Sequence, residues 1–237
     1  MLFSFYIVLA TLPSLVWLLF YLRKDKHPEP NSMVIKVFTL GILSAFAAVI
    51  LEKFFIAGLE KFPFRGLFPL VIIIRMAFVE ELSKYAVVRL SIFKNPNFDE
   101  PIDAMIYMII AGLGFAAAEN GFLVNTLYNL NVSFENTLGL IFGRFISAVF
   151  LHALCSGIIG FFLAYSLLFK EKRWSFVFSG ILLATGLHGF YNYIIINIEL
   201  GKSNFYIFTL ALFLILMAVF VSKGFKHLKK LKSVCKI

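Results

Sequence analysis

Along the chain, long uninterrupted apolar runs alternate with short polar connectors. A membrane-crossing helix needs about 20 mostly apolar residues. Seven runs reach that length: 2–22, 33–59, 67–92, 102–126, 139–169, 174–197 and 203–222. They are continuous, without the apolar–polar alternation of a barrel strand, and therefore predict helices. The expectation is an all-α polytopic bundle of about seven transmembrane helices. It forms a single integral-membrane domain over 1–237, with a basic tail at 223–237. The connectors "HPEPNS" (27–32) and "KNPNFDEP" (94–101) are proline-marked loops. No soluble domain or internal repeat is left over. Residues 2–22 lack a basic leader segment and a small-residue cleavage site, so they read as a retained span.

Composition agrees with a membrane solvent. Hydrophobic residues make up 61% of the chain and charged residues 15%, against about a quarter charged in soluble domains. No basic stripe interleaved with aromatics appears on a polar domain, which excludes a nucleic-acid partner. Cys155 lies in an apolar run and Cys235 in the tail, a placement that suggests neither a disulfide framework nor a thiolate metal site. The net charge of +9 is unevenly distributed. With the N-terminus outside, inner loops and tail hold 14 Lys and Arg residues, against three outside (Lys61, Arg65, Lys202). The positive-inside rule therefore predicts N-out, C-in, with the basic tail as a topology anchor on anionic lipid.

That orientation gives each polar residue inside a span a depth. At 1.5 Å per residue from the cytoplasmic end, Glu80 falls about 18 Å deep and His188 about 21 Å. Glu119 and His152 fall about 25 Å deep, and Asn192 about 27 Å. Four predicted helices thus place polar groups in one layer of a core about 30 Å thick. An ionisable group there costs at least about 2.5 kcal/mol, so each needs a partner or a function. Lys84, one turn after Glu80, can neutralise it as an i,i+4 pair. Glu81 points about 100° away and has no evident local cation. Adjacent carboxylates in low dielectric favour one protonated and one ionised member, the arrangement a general acid/base uses. We favour Glu80 as the base. His188 and Asn192 share a helix face and can hold an oxyanion or a metal-bound water. Glu119-Asn120 is either a packing pair or a direct participant, and Arg144 either snorkels or pairs with a carboxylate. His27 and His227 lie in loop and tail and are not expected to take part. H-E-x-x-H, G-x-S-x-G and P-loop signatures are absent.

The segments "RKDKHPEP", "EELSK", "DEPIDAMIYMIIAGLGFAAAENG", "HALCSGIIG" and "HGFYN" occur in an order that resembles the PrsW family of intramembrane proteases, related to the CAAX-prenyl protease/Abi superfamily. The resemblance spans about residues 20–195. The family's E-E-x-x-K falls on Glu80, Glu81 and Lys84, and its F-x-x-x-E-N on Phe115, Glu119 and Asn120. Its histidine motifs fall on His152 and on His188 with Asn192, a position often Asp in the family. Asn192 still donates to an oxyanion but is a poorer metal ligand. The resemblance implies site-1 cleavage of a membrane-anchored anti-sigma factor, or another single-span substrate, at the bacterial cell membrane. The cofactor is either none or a zinc ion held by His152, His188 and one of Glu80, Glu81 or Glu119. A proton- or ion-coupled transporter is the competing class, because it also uses intramembrane Glu and His. A catalytically silent scaffold of the same superfamily is a third.

The orientation is testable on the native chain. In intact cells a membrane-impermeant maleimide should leave the tail cysteine, Cys235, unlabelled until the membrane is permeabilised; labelling before that step would invert the topology.

Overall fold

The computed structural model describes residues 2–25, 27–59 and 68–231. Lys26, Lys61, Arg65 and the tail from Lys232 through Cys235 to Ile237 lie outside them. Among the described residues there are eight α-helices and no strand. These are α1 (Leu2–Leu22), α2 (Asn31–Leu59), α3 (Phe68–Ser91), α4 (Pro101–Asn129), α5 (Phe134–Ile146), α6 (Ala148–Leu168), α7 (Arg173–Glu199) and α8 (Phe205–Leu228). Six stretches are long and apolar enough to cross a membrane: α1, α2, α4, α5 with α6, α7 and α8. The 24 residues of α3 would also span, but this helix carries Arg75, Glu80, Glu81, Lys84 and Arg89. The molecule is a multi-pass membrane protein whose outer surface exposes side chains such as Leu19, Phe46, Phe178 and Phe208.

The central element is α4. Every residue from Pro101 to Ala118 is buried, and the helix packs most extensively on α6 and α2, then on α1. Lipid tails are as apolar as leucine, so transmembrane helices associate through close backbone approach at small residues. Here that rule is used from both sides. A Cβ on Gly114 would run into the Phe38 carbonyl of α2, and one on Gly41 of α2 into the Ala111 carbonyl. On the opposite flank Gly112 makes room for Ser156 of α6. The start of α4 is fixed by Pro101 in its first turn and by Asp103 Oδ2, which accepts from the Asp99 and Glu100 amides at 3.0 and 2.8 Å. Described residues of the "RKDKHPEP" loop meet this end. His27 Nδ1 meets Glu100 at 2.7 Å, and the Tyr107 hydroxyl donates to Glu29, whose carboxyl is pushed above its ordinary range by burial.

The predicted span 139–169 is two helices instead of one. At Ser147 the backbone leaves the helical register (φ −119°, ψ −79°), and the break is held by side chains. Ser147 Oγ donates to Gly143 O at 2.7 Å, while the Tyr191 hydroxyl donates to Ser147 Oγ at 3.1 Å. The Phe145 carbonyl near the break accepts from Trp17 Nε1 at 3.0 Å. A carbonyl left unpaired in hydrocarbon would be costly, so Trp17 makes the bend tolerable. Periodicity cannot show such a break, because both halves are apolar and its partners are 44 and 128 residues away.

Gly114→Val is expected to force α2 off α4 and cost about 1–3 kcal/mol. A lowered thermal midpoint in detergent checks this, and an unchanged midpoint would refute the close-packing account.

Candidate active site

The polar cluster forms where α3, α6 and α7 meet beside α4. Glu80, Glu81 and Lys84 occupy one turn of α3, His152 lies near the start of α6, and His188 faces them from α7. Lys84 is the hub, with a side chain that is 0% exposed. Its Nζ donates to Glu81 Oε1 at 2.8 Å and to His152 Nδ1 at 2.8 Å, and lies 3.6 Å from Glu80 Oε2. Its fourth neighbour is the Phe115 ring of α4, 4.5 Å from the ammonium to the ring centre. The sequence pairing of Lys84 with Glu80 is therefore only part of the arrangement. The shorter contact goes to Glu81, three residues away, which has a local cation after all. Positions i and i+3 are also neighbours on a helix, so the i,i+4 reading was incomplete.

The hydrogen-bond pattern fixes the His152 tautomer and places a proton on His188 Nδ1. An ammonium only donates, so His152 Nδ1 accepts and its Nε2–H donates to Glu119 Oε2 at 2.7 Å. The Glu81 carboxylate accepts from His188 Nδ1–H at 2.8 Å, and His188 Nε2 lies 3.7 Å from Glu80 Oε2. The two rings meet edge to face with centres 5.1 Å apart. Toward the mouth, Arg144 Nε donates to Asn120 Oδ1 at 2.6 Å and its guanidinium reaches Glu119 Oε2 at 3.3 Å. Asn120 also donates to the Ala10 carbonyl of α1 at 3.1 Å, so the pair ties the mouth to α1. Arg144 and Glu119 are 29% and 27% exposed, in contrast to the fully buried Lys84–Glu81 pair.

A cavity of about 310 Å³ opens onto this cluster. Glu80, Glu119, His152, His188, Asn192 and Arg144 line it, together with Tyr191. Glu81 and Lys84 lie behind the wall. Sequence reasoning did not single out two nearby residues. Tyr191 sits between His188 and Asn192 in "HGFYN" and holds the Ser147 break. Glu52 of α2 is half-buried and within electrostatic range of Glu119, His188 and Lys84. Its signal was a carboxylate inside the second span, which on its own marks a functional candidate.

The donors also suit a divalent cation. Glu80, His152 and His188 each offer one ligand atom, all within 4.8 Å of one another. Two nitrogens and a carboxylate with a position left for water form a catalytic zinc donor set. Glu80 Oε2 is buried and has no hydrogen-bond partner among the described residues. It lies 3.7 Å from His188 Nε2, and a proton or a cation between the two atoms would join them. Glu81 holds the far nitrogen of His188, as outer carboxylates do at ligating histidines. Ligation through His152 Nε2 would require its ring proton to move to Nδ1, where Lys84 now donates, so that hydrogen bond would have to be given up.

A multi-pass helical bundle with carboxylates, imidazoles and an oriented amide around one intramembrane cavity is the layout of a membrane-embedded hydrolase. The chain belongs to the PrsW family: the family described as PrsW family intramembrane metalloprotease matches residues 29–221. Relatives named Protease PrsW include those of Geobacillus kaustophilus (30% identical, covering 81% of this chain and 80% of the relative) and Bacillus subtilis (29%; 74% and 75%). The Clostridioides difficile Protease PrsW is 26% identical, covering 79% and 78%. No solved structure gives a significant match.

Removing one charge from the buried pair should be worse than removing both. Lys84→Met leaves Glu81 buried without its lysine, with only the His188 hydrogen bond, and is expected to cost about 3–5 kcal/mol, whereas adding Glu81→Gln should recover part of that loss. Thermal unfolding of the single and double variants in detergent checks the coupling.

Proposed function

We propose that this protein is a membrane peptidase that makes the site-1 cut in a membrane-anchored anti-sigma factor of a bacterial cell membrane, with its N-terminus outside and its C-terminus in the cytoplasm. The observation that carries the reading is the Glu80 oxygen, which lines the cavity without a hydrogen-bond partner among the described residues and lies 3.7 Å from His188 Nε2. A water lodged there has an acceptor for its proton and lies within the layer that also holds Asn192 and His152. The Lys/Arg asymmetry supports the orientation.

In this reading the chain's own groups divide the work. Glu80 takes the proton of the attacking water, while Glu81 and Lys84 hold His188 and His152 from behind. A peptide carbonyl under attack develops negative charge, which the Asn192 amide stabilises from the cavity wall. The proton that Glu80 has taken up is then delivered to the leaving amine, which the His152 Nε2–H, supported by Glu119, helps to orient. A divalent cation on Glu80, His152 and His188 would polarise the carbonyl and acidify a bound water. Glu119 would then be the cavity carboxylate available as the base.

Purified protein with a single-span anti-sigma substrate in detergent tests the proposal. Glu80→Gln and Glu119→Gln should each keep the wild-type melting profile and lose cleavage by about 100-fold or more. Full activity in both would end it. Elemental analysis separates the two modes. If Glu80 is a ligand, Glu80→Gln, His152→Ala and His188→Ala lose a stoichiometric metal that Glu119→Gln retains. If it acts without metal, cleavage survives chelation.

A further inference from the structure

A second cavity, of about 570 Å³, lies away from the active site on the lipid-facing side of α8. One helical stripe forms its floor: Ala211, Ile215, Ala218, Ser222 and Lys226 recur every three or four residues. Ile146 and Phe150, on either side of the α5–α6 break, form the facing wall. That wall is rigid, because Phe150 stacks on Trp17 at 4.3 Å and Trp17 is anchored to the Phe145 carbonyl. The stripe from Ala211 to Lys226 is about 22 Å long, enough to follow one leaflet of a core about 30 Å thick, from its surface to the midplane and slightly beyond. It is apolar from Ala211 to Val219 and ends at Ser222, Lys223 and Lys226, the two lysines exposed. Neither has an ion-pair partner among the described residues.

We propose that this groove binds an anionic glycerophospholipid, with an acyl chain along the α8 stripe and the phosphate on Lys223 and Lys226. Charge decides among the occupants that an intramembrane groove admits. A substrate helix obeying the positive-inside rule would bring its own Lys and Arg flank against the two lysines. A second copy of this chain in a symmetric contact would set the same cationic end against itself. An acyl chain with a phosphate at its head matches both the apolar stripe and its cationic end. The lipid would brace α8 against Ile146 and Phe150. Arg144 and Ala148, which line the active-site cavity, are on the same two helices, so bound lipid steadies the junction that shapes the mouth.

Native mass spectrometry of the full chain in detergent, titrated with phosphatidylglycerol or phosphatidylcholine of equal chain length, tests this. The wild type should retain phosphatidylglycerol preferentially. Lys223→Gln/Lys226→Gln should weaken that binding on the order of 20-fold and abolish the preference, since each surface lysine contributes roughly five-fold. Lys229→Gln/Lys230→Gln, which leaves the groove intact, should keep it. Ala218→Phe, which fills the groove, should lose retained lipid of both kinds while its melting profile in lipid-free detergent confirms folding. The proposal is overturned by equal retention of the two lipids in the wild type, or by a preference that survives loss of Lys223 and Lys226. It is also overturned if the groove cross-links to a single-span substrate peptide, or if a dimer dissociates on Ala218→Phe. None of these outcomes depends on proteolysis, so the lipid site and the peptidase reading stand or fall separately.

Discussion

Burying the Lys84 ammonium in the bundle is the constraint around which the other polar contacts are organised. A lone ammonium in hydrocarbon is too costly to keep charged, and a single carboxylate would satisfy only one of its three protons. Lys84 instead reaches Glu81, His152 and, at longer range, Glu80, with the Phe115 ring as a fourth neighbour. Because it can only donate, it dictates the proton on His152, and through Glu81 it takes part in dictating the one on His188. The two histidines present defined nitrogens to the cavity as a consequence of one cation behind it. Glu80, although next in sequence to Glu81, lines the cavity instead of lying behind it.

Such an arrangement requires helices that approach closely and bend at a chosen place. Close approach comes from glycines on α4 and its neighbours, where backbone meets backbone and no larger side chain fits. The bend comes at Ser147, where Trp17 and Tyr191 take up polar groups that the break exposes. The two devices meet at the mouth. The break turns α5 so that Arg144 reaches Glu119 and Asn120, while α6 carries His152 to the other side of the same Glu119 oxygen. Membership of the PrsW family accounts for the order of the motifs. The geometry adds a division between groups that line the cavity and groups that hold those in place.

Much was legible in the chain because hydrocarbon is an exacting solvent. A run of about 20 apolar residues has few alternatives to a helix, so the spans, the helical class and the multi-pass character follow from local pattern. Ionisable residues inside those runs are rare and costly, which is why Glu80, Glu81, Glu119, His152 and His188 stood out without any knowledge of contacts. What the chain could not reveal was pairing. Lys84 is three residues from Glu81 and four from Glu80, and only the packing of α6 and α7 against that turn decides which contact is shorter. The Ser147 break, the Tyr191 brace and the reach of Arg144 to Glu119 depend on partners 25 to 128 residues away. The sequence alone thus determined which residues must leave water and which would be expensive there. The tertiary structure decided which of them neutralise one another and which remain facing the cavity, because that choice rests on distances between helices that no local pattern encodes.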